Sequence, residues 1–294
     1  MNTPGTLTYV YAVTRPTDRL HEALAGLRGI GMAPARLLIS APVATPGSTP
    51  GAAPGSGPVE LAFVASDVPV GDFNETALKD HFEDLNWLED VARTHHDVVQ
   101  AVAAHATVLP LRMATVYQDD QRARQALTDR HDTFAQRLDL LHAHTEYGVK
   151  IYLDPAAAGP QPPAAEAPST PAAPTSPGKA YLRARRAQHH AREAVHQQAR
   201  QAAEAIEGIA ARHTTLRVRH APQSGTLTGS QENVLNDAYL IPDDQADRFR
   251  AAIADAARAF PDVRIEVTGP WAPYSFAMPP ADPPGPADAD GPPP

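Results

Sequence analysis

The chain has 294 residues, 43% of them apolar and 20% charged, with a formal net charge of −9. These values suit a soluble globular protein of one to three domains, and the acidic balance argues against a general nucleic-acid binder. The absence of cysteine excludes disulfides and thiolate metal sites; no apolar run reaches the ~18 residues of a membrane span and the first residues lack the features of a signal peptide, so a cytoplasmic location is expected.

Residues 7–13 alternate Leu7, Tyr9, Tyr11 and Val13 with Thr8, Val10 and Ala12, the period of a strand. Pro16 opens a helix that Gly29 and Gly31 end. Residues 36–40 and 60–66 read as two further strands, and the Pro/Gly/Ser-rich stretch 42–58 as the long flexible loop of their hairpin. Leu85, Leu88, Ala92, Val99, Val102 and Ala106 recur at helical spacing, which predicts one helix over 75–106. Residues 107–117 are extended, with Pro110 marking a bulge or a sheet edge.

A connecting helix is predicted over 121–142, followed by a strand at 146–153 and a Pro/Ala linker over 155–177. Residues 179–212 form a helix roughly 50 Å long at about 1.5 Å per residue. Strands follow at 216–218 and 233–241. A helix over 243–260 is capped by Asp243 or Asp244 and carries Ala246, Phe249, Ile253, Ala256 and Phe260 on one face. The last strand is 263–267. Each half therefore reads β-α-β-β-α-β, and the predicted fold is α+β with two ferredoxin-like modules. The expected domains are 1–118 and 146–278, joined by a connecting helix at 119–145. A low-complexity insert occupies 155–178 and a disordered tail 279–294.

Motifs for chemistry are sparse. There is no phosphate-binding glycine motif, and no GxSxG elbow. Among the 13 histidines, the adjacent pairs His95-His96 and His189-His190 lack the i,i+4 spacing of helical metal ligands. Glu89 and Arg93 fit a helix-surface salt bridge, and Glu146 is a lone carboxylate without a visible partner. No catalytic residue, metal ligand or cofactor site is assigned. Lys179, Arg183, Arg185, Arg186 and Arg192 make the start of the long helix basic, which suits a solvated face or an acidic partner better than nucleic acid.

The block Thr268-Gly269-Pro270-Trp271-Ala272-Pro273-Tyr274-Ser275-Phe276 is rich in aromatics. Its two prolines are expected to keep it out of a helix or a central strand, so it packs under the body or meets a partner. This block resembles the end of the folded part of the GvpF/GvpL family of gas vesicle proteins. Five other segments resemble that family in order: residues 9–13, 87–95, 108–115, 146–150 and 236–241. Met113 and Ala114 depart from it, standing where Phe and Gly are frequent.

The resemblance implies an accessory or minor structural protein of gas vesicles, not an enzyme, without a cofactor. Its implied partners are the small apolar shell subunit and other vesicle proteins. Trp271, Pro273, Tyr274 and Phe276 are the candidate partner interface. Trp87, Arg93, His95, Pro110 and Arg112 match motifs read as structural. The alternative is a ferredoxin-like small-molecule sensor or enzyme with a ligand between its modules.

Overall fold

The computed structural model describes residues 5–40, 60–153, 177–222 and 232–277. The expected loop 42–58, the insert up to 176 and the tail 279–294 lie outside the described residues. The chain divides into two compact units, residues 1–140 with 273–294, and residues 141–272.

The first unit contains β1 (Thr6–Thr14), β2 (Arg36–Ile39), β3 (Ala62–Pro69), β4 (Val108–Pro110) and β5 (Val116–Tyr117). The order is β2-β3-β1-β4, with β5 also beside β1, and every pairing is antiparallel. β1 is buried without a break from Thr8 to Thr14. Its alternation conceals this, because helices cover both faces of the sheet. On one face α4 (Leu85–Ala103) carries His95 against Tyr9. Behind β1, α5 (Asp120–Asp129) places Asp120 on the Thr8 hydroxyl at 2.9 Å. There α6 (His131–Leu141) lays Phe134 on Phe63, ring centroids 6.0 Å apart. The stretch expected to be a connecting helix is thus the sheet's second cover, and the unit extends to residue 140 rather than 118.

Two predicted helices are broken by local chemistry. The span 75–106 holds α3 (Glu75–His81) and α4, preceded by α2 (Val70–Phe73); α1 (Asp18–Leu24) lies earlier, between β1 and β2. The Asn74 side chain accepts from the amides of Thr76 and Ala77, and that of Asp84 from Asn86 and Trp87. Asn and Asp satisfy the free amides at a helix start, so Asn74 begins α3 where the span opens and Asp84 begins a new helix inside it. The span 121–142 divides into α5 and α6 at Arg130, which leaves helical geometry.

The second unit contains β6 (His144–Leu153), α7 (Pro177–Ala210), β7 (Arg217–Arg219), β8 (Asn233–Pro242), α8 (Ala246–Ala257) and β9 (Val263–Trp271). Its antiparallel order is β7-β8-β6-β9, so in both units the second strand is outermost and the first lies between the third and fourth. Tyr147, Val149 and Ile151 of β6 meet Ala199, Ala202 and Ile206 of α7 and Phe249 and Ile253 of α8 in one core. The last two residues of the expected insert, 177 and 178, already belong to α7. Neither Asp243 nor Asp244 caps α8. A 3-10 turn (Asp243–Gln245) precedes it, and Asp243 instead accepts from the Thr145 hydroxyl at 2.6 Å.

The terminal block is more regular than its prolines predict. β9 continues through Trp271, which pairs with Glu146. It is an edge strand, where the missing amide of Pro270 need not break a ladder bond. Gly269 has φ of 116°, and a Cβ there would lie 2.9 Å from the Glu146 carbonyl oxygen, so the turn into Trp271 demands glycine. After Pro273 the chain makes one helical turn, α9 (Tyr274–Ala277). The block is divided: Trp271 and Ala272 belong to the second unit, and Pro273 onward to the first.

Candidate partner-binding site

In the first unit, Tyr9 and Tyr11 are two apart on β1 and so share a face. Both are fully buried, with rings 4.8 Å apart. The Tyr9 hydroxyl accepts the Ala114 amide at 3.0 Å and meets His95 Nδ1 at 2.9 Å. With the Ala114 N–H donating to it, the hydroxyl still has its own proton to give to Nδ1, the arrangement in which the imidazole proton sits on Nε2. Burial pushes the pKa of His95 down to about 4. The Leu111 backbone opposes part of that shift without closing a well-formed hydrogen bond to Nε2, and His96 adds to it. Burial also raises the pKa of Tyr9 and Tyr274. The ring is therefore neutral at pH 7.

Aromatic contacts continue outward from Tyr9. Phe73 lies edge-on to Tyr9 at 5.6 Å and touches Trp87 at 5.3 Å, and Trp87 stacks on His81 at 4.5 Å. On the other side the Tyr274 ring reaches both His95 and His96, at 6.3 and 6.2 Å. Three motif residues, Trp87 and His95 of α4 and Tyr274 of α9, thus belong to one aromatic cluster. Tyr274 remains 37% exposed while Phe276 is only 7% exposed. α9 lies against β4, where Pro110 is buried opposite Ala12.

The other motif residues stand apart. Arg93 pairs with Glu89 on the exposed side of α4, as its spacing predicts. Arg112 is exposed, and its carbonyl accepts from the Thr115 hydroxyl at 2.6 Å. Trp271, on the edge strand of the second unit, is 40% exposed. Pro273 and Phe276 are buried, which removes them from the surface open to a partner and corrects the four-residue interface. Of that set, Trp271 and Tyr274 remain accessible.

The sequence reading missed Tyr11, Ser66 and Gly29, which form a second buried knot. The Tyr11 hydroxyl accepts the Ile30 amide at 2.9 Å and bonds Ser66 Oγ at 2.8 Å. A Cβ on Gly29 would fall 2.2 Å from that hydroxyl. Gly29→Ala is therefore expected to cost about 1–3 kcal/mol through the displaced tyrosine and its unpaired partners, read as a lower urea midpoint. Ala114 has φ of 61°, in the left-handed region. Ala114→Gly is expected to raise stability by up to about 1 kcal/mol in the same assay.

Two charged clusters tie elements together. Arg36 of β2 bonds Asp67 at 2.5 Å and Asp120 at 2.7 Å, holding α5 to the sheet. Burial works against both charges of the Arg36–Asp120 pair. The hydrogen bonds outweigh it, so Asp120 is held below and Arg36 above its ordinary value. In the second unit Arg217 bonds Glu207 at 2.7 Å and buried Asp237 at 2.5 Å, while Tyr239 donates to Asp237 at 3.2 Å. Each of these carboxylates is engaged by an arginine, so all four serve to tie elements of the fold together. Among the described residues no three His, Asp or Glu side chains are placed to hold a metal ion, and no helix is long and apolar enough to cross a membrane. A groove of about 180 Å³ between α1 and α4 is lined by Leu20, Leu24, Leu27, Val102 and His105. It is below the ~300 Å³ of usual ligand sites and has no converging charges.

The family model for gas vesicle synthesis proteins GvpL/GvpF matches residues 7–278. Gas vesicle protein L of Streptomyces sp. (strain CB03234) is 39% identical over 272 residues, 92% of each chain. Gas vesicle protein F of the same strain is 28% identical over 281 residues, 92% of this chain and 98% of its own. Among solved structures, GvpF from Microcystis aeruginosa superposes with a TM-score of 0.56 at 17% identity, over 92% of this chain and 99% of that one. GvpF from Anabaena sp. PCC7120 gives 0.56 at 16%, over 93% and 96%. The structures share the α+β fold, and the match along nearly the whole described chain shows that this protein belongs to the GvpL/GvpF family of gas vesicle proteins.

Proposed function

We propose that this protein is a non-enzymatic accessory or minor structural protein of gas vesicle formation, acting in the cytoplasm or on the vesicle by binding the apolar shell subunit or other vesicle proteins. The observation that carries the reading is the exposure of Trp271 and Tyr274 in the block that matches the family. A gas-filled shell needs a very apolar inner face, and before assembly that face is an aggregation hazard. Large aromatic side chains held on ordered backbone suit a partner of that kind, because they bury much area at little entropic cost. Each unit is read as a ferredoxin-like module, a reading supported by the shared antiparallel strand order.

Mixing the protein with solubilised shell subunit or other vesicle proteins and following co-elution tests this reading. Association is expected for the wild type. Trp271→Ala with Tyr274→Ala should weaken it at least about tenfold while shifting thermal unfolding little, as both residues are more than a third exposed. Lowered stability with binding retained would return both residues to a structural role, and no association with any vesicle component would refute the proposed function.

A further inference from the structure

We propose that the projecting basic half of α7 docks on the acidic α3–α4 corner of a second copy of this chain. α7 has 34 residues, but its buried stripe begins only at Val195 and continues through Ala199, Ala202, Ile206 and Ile209. The 18 residues before that stripe extend about 27 Å at ~1.5 Å per residue. From Tyr181 to Ala194 only Gln188 and Ala191 are even half-buried. A helix exposed on every side lacks the packing that stabilises most helices, so this segment is built as if for a partner.

Its chemistry specifies the occupant. Lys179, Arg183, Arg185, Arg186 and Arg192 make no ion pair with described residues. Tyr181 and Leu182 beside them are 46% and 55% exposed. The complement occurs on this same chain. Around α3 and α4, Asp72, Asp80, Glu83, Asp90 and Asp97 are exposed and have no salt-bridge partner among the described residues, while Lys79 and Arg93 are already engaged by Glu75 and Glu89. At the turn between these helices Phe82 and Leu85 are 48% and 78% exposed. A basic helix with two bare apolar residues thus faces an acidic corner with two of its own, and opposite charges around an apolar centre set register and partner choice.

The two surfaces are different, so the contact is head-to-tail and copies add into rings or open chains. Single exposed ion pairs contribute little, so the association is expected to be weak, with a Kd in the ~micromolar range, and sensitive to salt. This inference stands apart from shell binding, and its test needs no vesicle component.

The test is sedimentation velocity on the full chain from about 1 to about 100 µM, at about 0.05 M and about 0.5 M salt. The proposal expects association that grows with concentration and weakens at least about tenfold in high salt. Arg183→Glu with Arg185→Glu and Arg186→Glu should abolish it, as should Asp80→Lys with Glu83→Lys. Mixing the two variants should restore it, because each then carries the charge that the other's altered surface needs. All these side chains are exposed, and circular dichroism checks that the folds persist. A wild type that stays monomeric throughout, whether because the segment folds back on its own chain or takes a different acidic protein, overturns the proposal. So does an association that neither reversal affects, or variants that fail to restore it when mixed.

Discussion

Replacing Asp237 by alanine is expected to destabilise the second unit by about 3 kcal/mol. Asp237 is 1% exposed on β8, and its carboxylate receives Arg217 of β7 and the Tyr239 hydroxyl. Removing one partner of a buried pair costs about 3–5 kcal/mol, since the remaining charge stays desolvated. The lower end applies here, because Arg217 keeps Glu207 and is itself a quarter exposed. The Tyr239 hydroxyl would also lose its acceptor. Glu207→Gln is the contrasting variant. Glu207 is 39% exposed, so its loss should cost no more than about 1 kcal/mol. Urea unfolding of both variants at pH 7 checks the pair; equal effects would mean that the network's energy does not reside in the buried carboxylate.

Acidification should destabilise the first unit before its carboxylates protonate. His95 binds a proton near pH 6.5 when unfolded but only near pH 4 in the fold. Between those values the unfolded chain holds more protons, so stability falls as pH falls from 6.5 to about 4 and then levels off with respect to this group. The loss is about 3 kcal/mol, because each tenfold drop in the folded ring's proton affinity is worth ~1.4 kcal/mol. The groups facing the ring are Tyr9, Tyr11, Tyr274 and His96, and none is a carboxylate that would stabilise an imidazolium. Asp120 behaves oppositely in mechanism but not in sign: its depressed value makes its contribution disappear below the ordinary carboxylate range. The two windows are thus separable. His95→Gln should flatten the decline above pH 4.5, and an unchanged slope would show that His95 is not its source.

The sequence made the strands legible where length and composition agreed, as in β6, β8 and the start of β9. It showed the α8 stripe for the same reason, since Phe249 and Ile253 repeat at helical spacing. It concealed the break before α4, because Asp84 acts through two backbone amides and leaves the apolar period of Leu85, Leu88 and Ala92 intact. It also concealed the double cover of β1. Thr8 looks like an outward residue until Asp120, 112 positions away, is placed on it.

The candidate site was legible in part for the same reason. Trp271 and Tyr274 stood out by type, and both are accessible. The pairing of Tyr9 with His95 spans 86 positions, and the approach of Tyr274 to His95 and His96 joins α4 to the last turn of the described chain. No local period encodes such contacts. Pro273 and Phe276 resembled interface residues but are buried, because the chain turns into α9 and seats that end of the block against β4.

The most direct test of the vesicle role is to remove this chain from a cell that assembles gas vesicles with it, then restore either the wild type or the Trp271→Ala, Tyr274→Ala double variant. The account predicts no gas-filled vesicles by phase-contrast microscopy without the chain, recovery with the wild type and impaired recovery with the variant. Normal vesicles in its absence would contradict the account.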